Sequence, residues 1–270
     1  MSEAYMGTEG LHADKTDGVL YLTLDNEPKR NAMSDQVVRS LTDAIEKAGQ
    51  DQEIRVIVMQ GAGDDFCSGI DIIARNQGTD ARPRAGSIQR RLPYGAHRLI
   101  STLLTVQTPV VCKVRGWAAG IGLHMVLAAD FAIAAEDALL WEPFGERGLS
   151  VDSAGAWLLP RRIGDTRARE MLFLGRRVSG KEADEWGMVH RAVSPDQLEP
   201  SAIALIADLK QRPTVALGLT KWLLHSGATS HLDEHLRNEA FALELAIRTK
   251  DFREGLAAFR DRRDPTFLGE

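Results

Sequence analysis

The 270-residue chain is short of the residues that mark several common chemistries. It has two cysteines, Cys67 and Cys112, at neither metal nor redox spacing, and they read as reduced thiols of a cytoplasmic protein. No His, Cys and Asp residues cluster at ligand spacing, so no metal is expected. The net charge of −5 leaves no broad basic field, which argues against a nucleic-acid partner. There is no G-x-G-x-x-G fingerprint and no P-loop. Residues 1–17 are polar and acidic, without the apolar run of a secretory signal. The most apolar stretch, 116–135, is broken by glycines, His124 and Asp130, so it reads as a buried helix and strand and no membrane partner is expected. No repeat of fixed period is visible.

What is present is ordinary for a soluble globular protein: 44% apolar and 26% charged residues, in a chain long enough to bury a sizeable core. The first half alternates strand and helix signals. Residues 18–24, 54–59 and 109–115 read as strands. Ser34 is a candidate N-cap for a stripe of Val37, Val38, Leu41, Ala44, Ile45 and Ala48. A polar excursion over 74–87 leads into a helix expected over 87–106. Short strands are expected at 131–135 and 138–144. Helices follow, one through Leu159, one capped by Asp165, and one with the capping-box pair Ser179 and Glu182. From Pro195 the pattern is helical, with breaks at Pro213 and near Gly227. This is α/β patterning with a helical extension.

The chemistry gathers at two glycine-rich turns that follow strands. In the second, Gly120 and Gly122 open an apolar helix. Glycine there permits a sharp turn and close approach. The first helical amides lack intrahelical partners and sit at the positive end of the helix dipole. Such a turn holds an anion, or a carbonyl oxygen that becomes one. Tight helix–strand packing alone also explains these glycines.

The first turn reads Asp65-Phe66-Cys67-Ser68-Gly69-Ile70-Asp71, and the second Gly116-Trp117-Ala118-Ala119-Gly120-Ile121-Gly122. With Pro28–Ser34, Ala129-Asp130, Trp157–Arg161, Glu185–Val189 and Phe252–Phe259, they resemble the crotonase superfamily, the enoyl-CoA hydratase/isomerase group, over about residues 15–265 in order. The resemblance implies a spiral of β-β-α turns over residues 1–195 and a helical trimerisation region over 196–270. It implies a coenzyme A thioester as substrate, no prosthetic group, and a homotrimer or a dimer of trimers. The oxyanion hole falls on the amides of Ile70 and Ile121. CoA contacts fall on Lys29, Arg30, Ala32, Ser68, Gly69, Ile70, Asp71 and Gly120, with Phe259 and Arg262 reaching a neighbouring subunit's CoA. Solvated charge is the alternative reading of Lys29, Arg30 and Arg262.

Two positions depart from the family pattern. The paired glutamates of the hydratases fall on His124 and Phe144, and phenylalanine transfers no proton. Glu142 and Glu146 flank Phe144 and read as structural or surface carboxylates. Asp152 stands in Gly148–Pro160, which resembles the enoyl-CoA isomerases of phenylacetate breakdown and implies an acid/base there; helix capping is the alternative. His124 is a second candidate, and a core histidine is its alternative. His97 resembles the base of a related dehalogenase only in spacing. The expected activity is enoyl-CoA double-bond isomerisation. Hydration, hydrolysis or dehalogenation through Asp152 and a histidine is the runner-up, followed by a CoA-binding homologue without catalysis.

Overall fold

The computed structural model describes residues 5, 7–72 and 84–270. Most of the expected 74–87 excursion lies outside the described residues.

Strand β1 (Leu11–Thr16) pairs antiparallel with β2 (Val19–Leu24) through Asp17 and Gly18. Both turn residues have positive φ, 48° and 75°, as a tight two-residue hairpin requires. The sequence reading had no β1. Its sole buried residue is Leu11, because it is an edge strand with charges facing solvent. Strands β3 (Val56–Gly61), β4 (Val110–Val114), β6 (Phe131–Ala135) and β9 (Arg191–Val193) continue the sheet in parallel from β2. A smaller sheet holds β5 (Trp117–Ala119), β7 (Leu139–Trp141) and β8 (Val178–Ser179). Neither β5 nor β8 was expected, since three- and two-residue strands carry no period to read.

Helix α1 (Asp35–Ala48) is capped by Ser34, whose side chain accepts from the Val37 amide, and it buries the expected stripe. The single helix expected over 87–106 is two, α2 (Ser87–Arg91) and α3 (Ala96–Thr105). A 3-10 turn at Leu92–Tyr94 divides them, because Pro93 lacks an amide proton and Gly95 departs from helical angles. Helix α4 (Ile121–Ala128) is buried along its whole length. The next helix, α5 (Gly155–Leu174), is broken at Gly164 (φ 78°, ψ 163°). Asp165 does not cap the second half: its carboxylate accepts from Arg169 Nε at 2.6 Å. Helix α6 (Gly180–Glu185) has the expected capping box.

The chain ends in α7 (Leu198–Lys210), α8 (Thr214–Gly227), α9 (Leu232–Ala246) and α10 (Lys250–Asp261). Helix α7 lies against β3, β4 and β6 and buries Leu198, Ala202, Ile206 and Leu209. The last three helices instead expose large apolar side chains, including Leu224, Leu232, Phe241, Leu243 and Phe259. Among the described residues no helix is long and apolar enough to cross a membrane.

Both cysteines are buried in the core. Burial pushes the Cys67 thiol up to about 12 and raises Cys112 as well, with Asp130 adding to the latter. The thiolate is the reactive form. Neither thiol is expected to react with an aromatic disulfide reagent in native protein near neutral pH. Both are expected to react once the chain is unfolded; rapid native labelling would contradict this burial.

Candidate active site

Two loops are zipped together by backbone hydrogen bonds. After β3, Phe66 donates to the Arg115 carbonyl and Cys67 to Trp117, both at 2.8 Å, while Ala119 returns a bond to Cys67 at 2.9 Å. Asn31, almost fully buried, clamps the outer side. Its amide donates to the carbonyls of Ala62 (2.9 Å) and Asp65 (2.7 Å). Ser68 bonds back to the 29–30 segment, and Met33 donates to Gly69. The sequence reading passed over Asn31 as part of a turn-rich loop.

Glycine is required at three places in this construction. Gly69 has φ 102°, and a side chain there would meet the Ala119 carbonyl. Gly120 has φ 54° and ψ −125°, and its amide donates to Trp141 at 3.0 Å. Gly122 presses on Cys67: an added methyl would collide with its carbonyl oxygen and lie 3.0 Å from its Cβ. The amides of Ile70 and Ile121 follow Gly69 and Gly120, one on each loop. Neither donates to a described residue, and Ile121 is the first residue of α4, where no intrahelical acceptor exists. Arg162 caps the other end of α4, donating to Leu127 (2.9 Å) and Ala129 (3.2 Å).

A cleft of about 740 Å³ opens on the first loop. Its walls include Lys29, Arg30, Ala32, Ser68, Ile70 and Asp71, all anticipated as CoA contacts, and Arg147, which was not. Lys29 pairs with Asp71 at 2.6 Å, so one expected phosphate-binding cation carries a counter-charge. Phe259 is 86% exposed on α10, Arg262 ends that helix, and neither lines this cleft.

Asp152 is half-buried in the turn before α5. It is not the helix cap. Ala154 occupies that position with φ 66°, and Asp152 contributes only its carbonyl, to Gly155 at 3.0 Å. Its carboxylate has no hydrogen-bond partner among the described residues. Ser153 (φ 47°) and Ala154 both hold left-handed backbone, at about 1–3 kcal/mol each, a strain typical of functional turns.

His124 is different. Its side chain is fully buried, and Nε2 lies 2.9 Å from Oε1 of equally buried Glu142. Phe144 stacks parallel to the imidazole at 6.0 Å. Gly155 lies so close that an added methyl would strike Nε2 and come within 2.9 Å of Cε1. The imidazole thus joins α4, the segment after β7, and the turn carrying Asp152. Glu142 is therefore a core residue rather than a surface one, whereas Glu146 is exposed. His97 is exposed on α3. Glu142→Leu, which leaves the buried Nε2 of His124 without its partner, is expected to cost about 1–3 kcal/mol in a denaturant titration. A loss below about 1 kcal/mol, the range of an exposed pair, would contradict the pairing.

The model of the enoyl-CoA hydratase/isomerase family matches residues 14–270. The chain belongs to this family. It is 36% identical to the 1,2-epoxyphenylacetyl-CoA isomerase of Escherichia coli, over 96% of this chain and 97% of that one. It is 32% identical to a probable enoyl-CoA hydratase of Rhodobacter capsulatus, over 94% and 96%. Among solved structures, the enoyl-CoA hydratase of Bacillus anthracis superposes with a TM-score of 0.88 at 30% identity, covering 97% of this chain and all of that one. The crotonase fold and an acyl-CoA-processing enzyme follow.

Proposed function

We propose that the chain isomerises an unsaturated acyl-CoA, with Asp152 as the sole acid/base. The observation that carries this reading is the Asp152 carboxylate, which neither caps α5 nor bonds to a described residue. The carboxylate takes a proton from one carbon of the acyl chain. The electron pair delocalises onto the thioester oxygen, which accepts from the Ile70 and Ile121 amides. Asp152 then returns the proton to another carbon, and the double bond has moved. Phe144 supplies no second acid, and His124 is enclosed behind Gly155, so its role is to position the turn. Lys29, Arg30, Ala32, Ser68, Gly69, Asp71 and Gly120 shape the CoA side.

The name of the E. coli relative favours a second substrate class for the same groups, an epoxidised arylacetyl thioester. A panel of 2-enoyl, 3-enoyl, dienoyl and epoxy-aryl CoA thioesters separates the readings. Products of unchanged mass are expected. Products heavier by one water would favour hydratase chemistry. Stoichiometric binding without turnover would favour a non-catalytic homologue.

The exposed apolar faces of α8, α9 and α10 support assembly into a homotrimer or a dimer of trimers. In such an assembly Phe259 and Arg262 are placed to meet a neighbour's CoA. Light scattering is expected to give three or six chain masses, and a monomer at micromolar concentration would contradict this. Two cellular expectations, a cytoplasmic location and no prosthetic group, belong to the same proposal.

A further inference from the structure

Beside the Ile121 amide the structure presents carbon. Gly120, the residue before it, leaves open the space that a side chain would fill. Phe144 Cζ borders that space at 3.8 Å, with Phe144 Cε2 and Pro143 Cδ at 3.9 Å. These are ordinary van der Waals distances, so the edge of the half-buried Phe144 ring walls a small apolar recess.

The ring is braced from behind. It lies parallel to the His124 imidazole, with 1° between the planes and 6.0 Å between the centres, an offset stack. The imidazole is itself fixed: Nε2 lies 2.9 Å from Glu142 Oε1, and the His124 amide donates to the Gly120 carbonyl at 2.9 Å. Gly155, in the turn that follows Asp152, closes the Nε2 edge of that imidazole. The same side chain therefore fixes the start of α4, the Phe144 ring and the Asp152 turn relative to one another. The cleft of about 740 Å³ lies on the Ile70 side, and its walls include neither Ile121 nor Phe144. A thioester whose oxygen meets both amides, and whose CoA half fills the cleft, carries its acyl carbons past Phe144.

We propose that Phe144, braced by the buried His124–Glu142 pair, is a specificity-determining residue for the acyl half of the substrate. It selects acyl groups that are flat next to the thioester, conjugated or aryl, over puckered ones of the same size. The inference rests on the acyl-CoA reading above and adds the side chain that chooses the acyl group. A flat partner meets a fixed aromatic ring over more of its area than a puckered one, and gains the contact that paired rings make beyond simple burial.

The test is calorimetric binding of benzoyl-CoA and cyclohexanecarbonyl-CoA. Their rings are of equal size, one flat and one puckered, and neither offers an alkene to move. Wild type is expected to bind benzoyl-CoA about two- to tenfold more tightly, the scale of one aromatic pair. Phe144→Leu, apolar but without a flat face, is expected to bring the two affinities together, chiefly by weakening benzoyl-CoA. Phe144→Met fills the same space with a flexible chain and is expected to do the same, so the result does not depend on one variant folding. Glu142→Leu, which removes the brace and keeps the ring, is expected to lose part of the preference. Equal wild-type affinities, or a preference that survives both Phe144 variants, would overturn the role of Phe144 and leave the acyl-CoA reading intact. Failure of the wild type to bind either thioester would overturn both.

Discussion

Asp152→Asn is expected to lower kcat on the best isomerase substrate by about 10²–10⁴-fold, the usual contribution of one positioned acid/base, with CoA affinity unchanged. Asparagine caps helices as well as aspartate does, so a capping residue would tolerate the change. Ala154 holds the capping position, and the Asp152 carboxylate bonds to no described residue. The substitution removes a base of nearly the same shape. A melting temperature close to wild type, with kcat collapsed and CoA binding retained, is the signature of proton transfer. An active Asp152→Asn enzyme would move the chemistry elsewhere.

Gly122→Ala is expected to reduce kcat by about 10²-fold or more, through loss of aligned oxyanion donors. The new methyl runs into the Cys67 carbonyl and lies 3.0 Å from Cys67 Cβ. Backbone cannot swing aside like a flexible side chain, so α4 must retreat from the 66–71 loop. The Ile121 amide travels with α4, and the Ile70 amide stays behind. Overpacking of this kind also costs about 1–3 kcal/mol of stability. Gly255→Ala is the control. It sits inside α10, its methyl meets Phe267 only at 3.6 Å, and alanine favours helix, so stability and kcat should hold or rise slightly. A Gly122→Ala enzyme with wild-type kcat would show that this contact does not fix the amides.

These two residues also show what the sequence could and could not convey. The β2, β3, β4 and β6 strands were legible because buried parallel strands read as apolar runs, and α1 because its stripe and cap agree. Strand β1 was hidden because one buried leucine among polar residues has no period. The two-residue β8 is fixed by partners distant in sequence, through its pairing with β7. At the site, the glycine turns pointed to the two loops whose Ile70 and Ile121 amides stay unbonded, and the segment resemblance pointed to Lys29, Arg30, Ala32, Ser68, Ile70 and Asp71, which line one cleft. Three features needed coordinates. Asn31 acts through carbonyls some thirty residues away. Glu142 and His124 find each other only when α4 packs beside the segment after β7. Arg147 reaches the cleft from a turn whose neighbours, Phe144 and Glu146, had drawn the attention. Charge in a sequence carries no depth, so Glu142 and Glu146 look alike until one is buried.

The central claim is that one carboxylate moves one proton along an acyl chain held by two amides. The most direct measurement is mass and NMR analysis of an enoyl-CoA incubated in deuterated water with wild type and with Asp152→Asn. Deuterium at the α- or γ-carbon with wild type, and none above background with the variant, is the expected result. Equal incorporation by both enzymes, or solvent oxygen appearing in the product, would contradict the account.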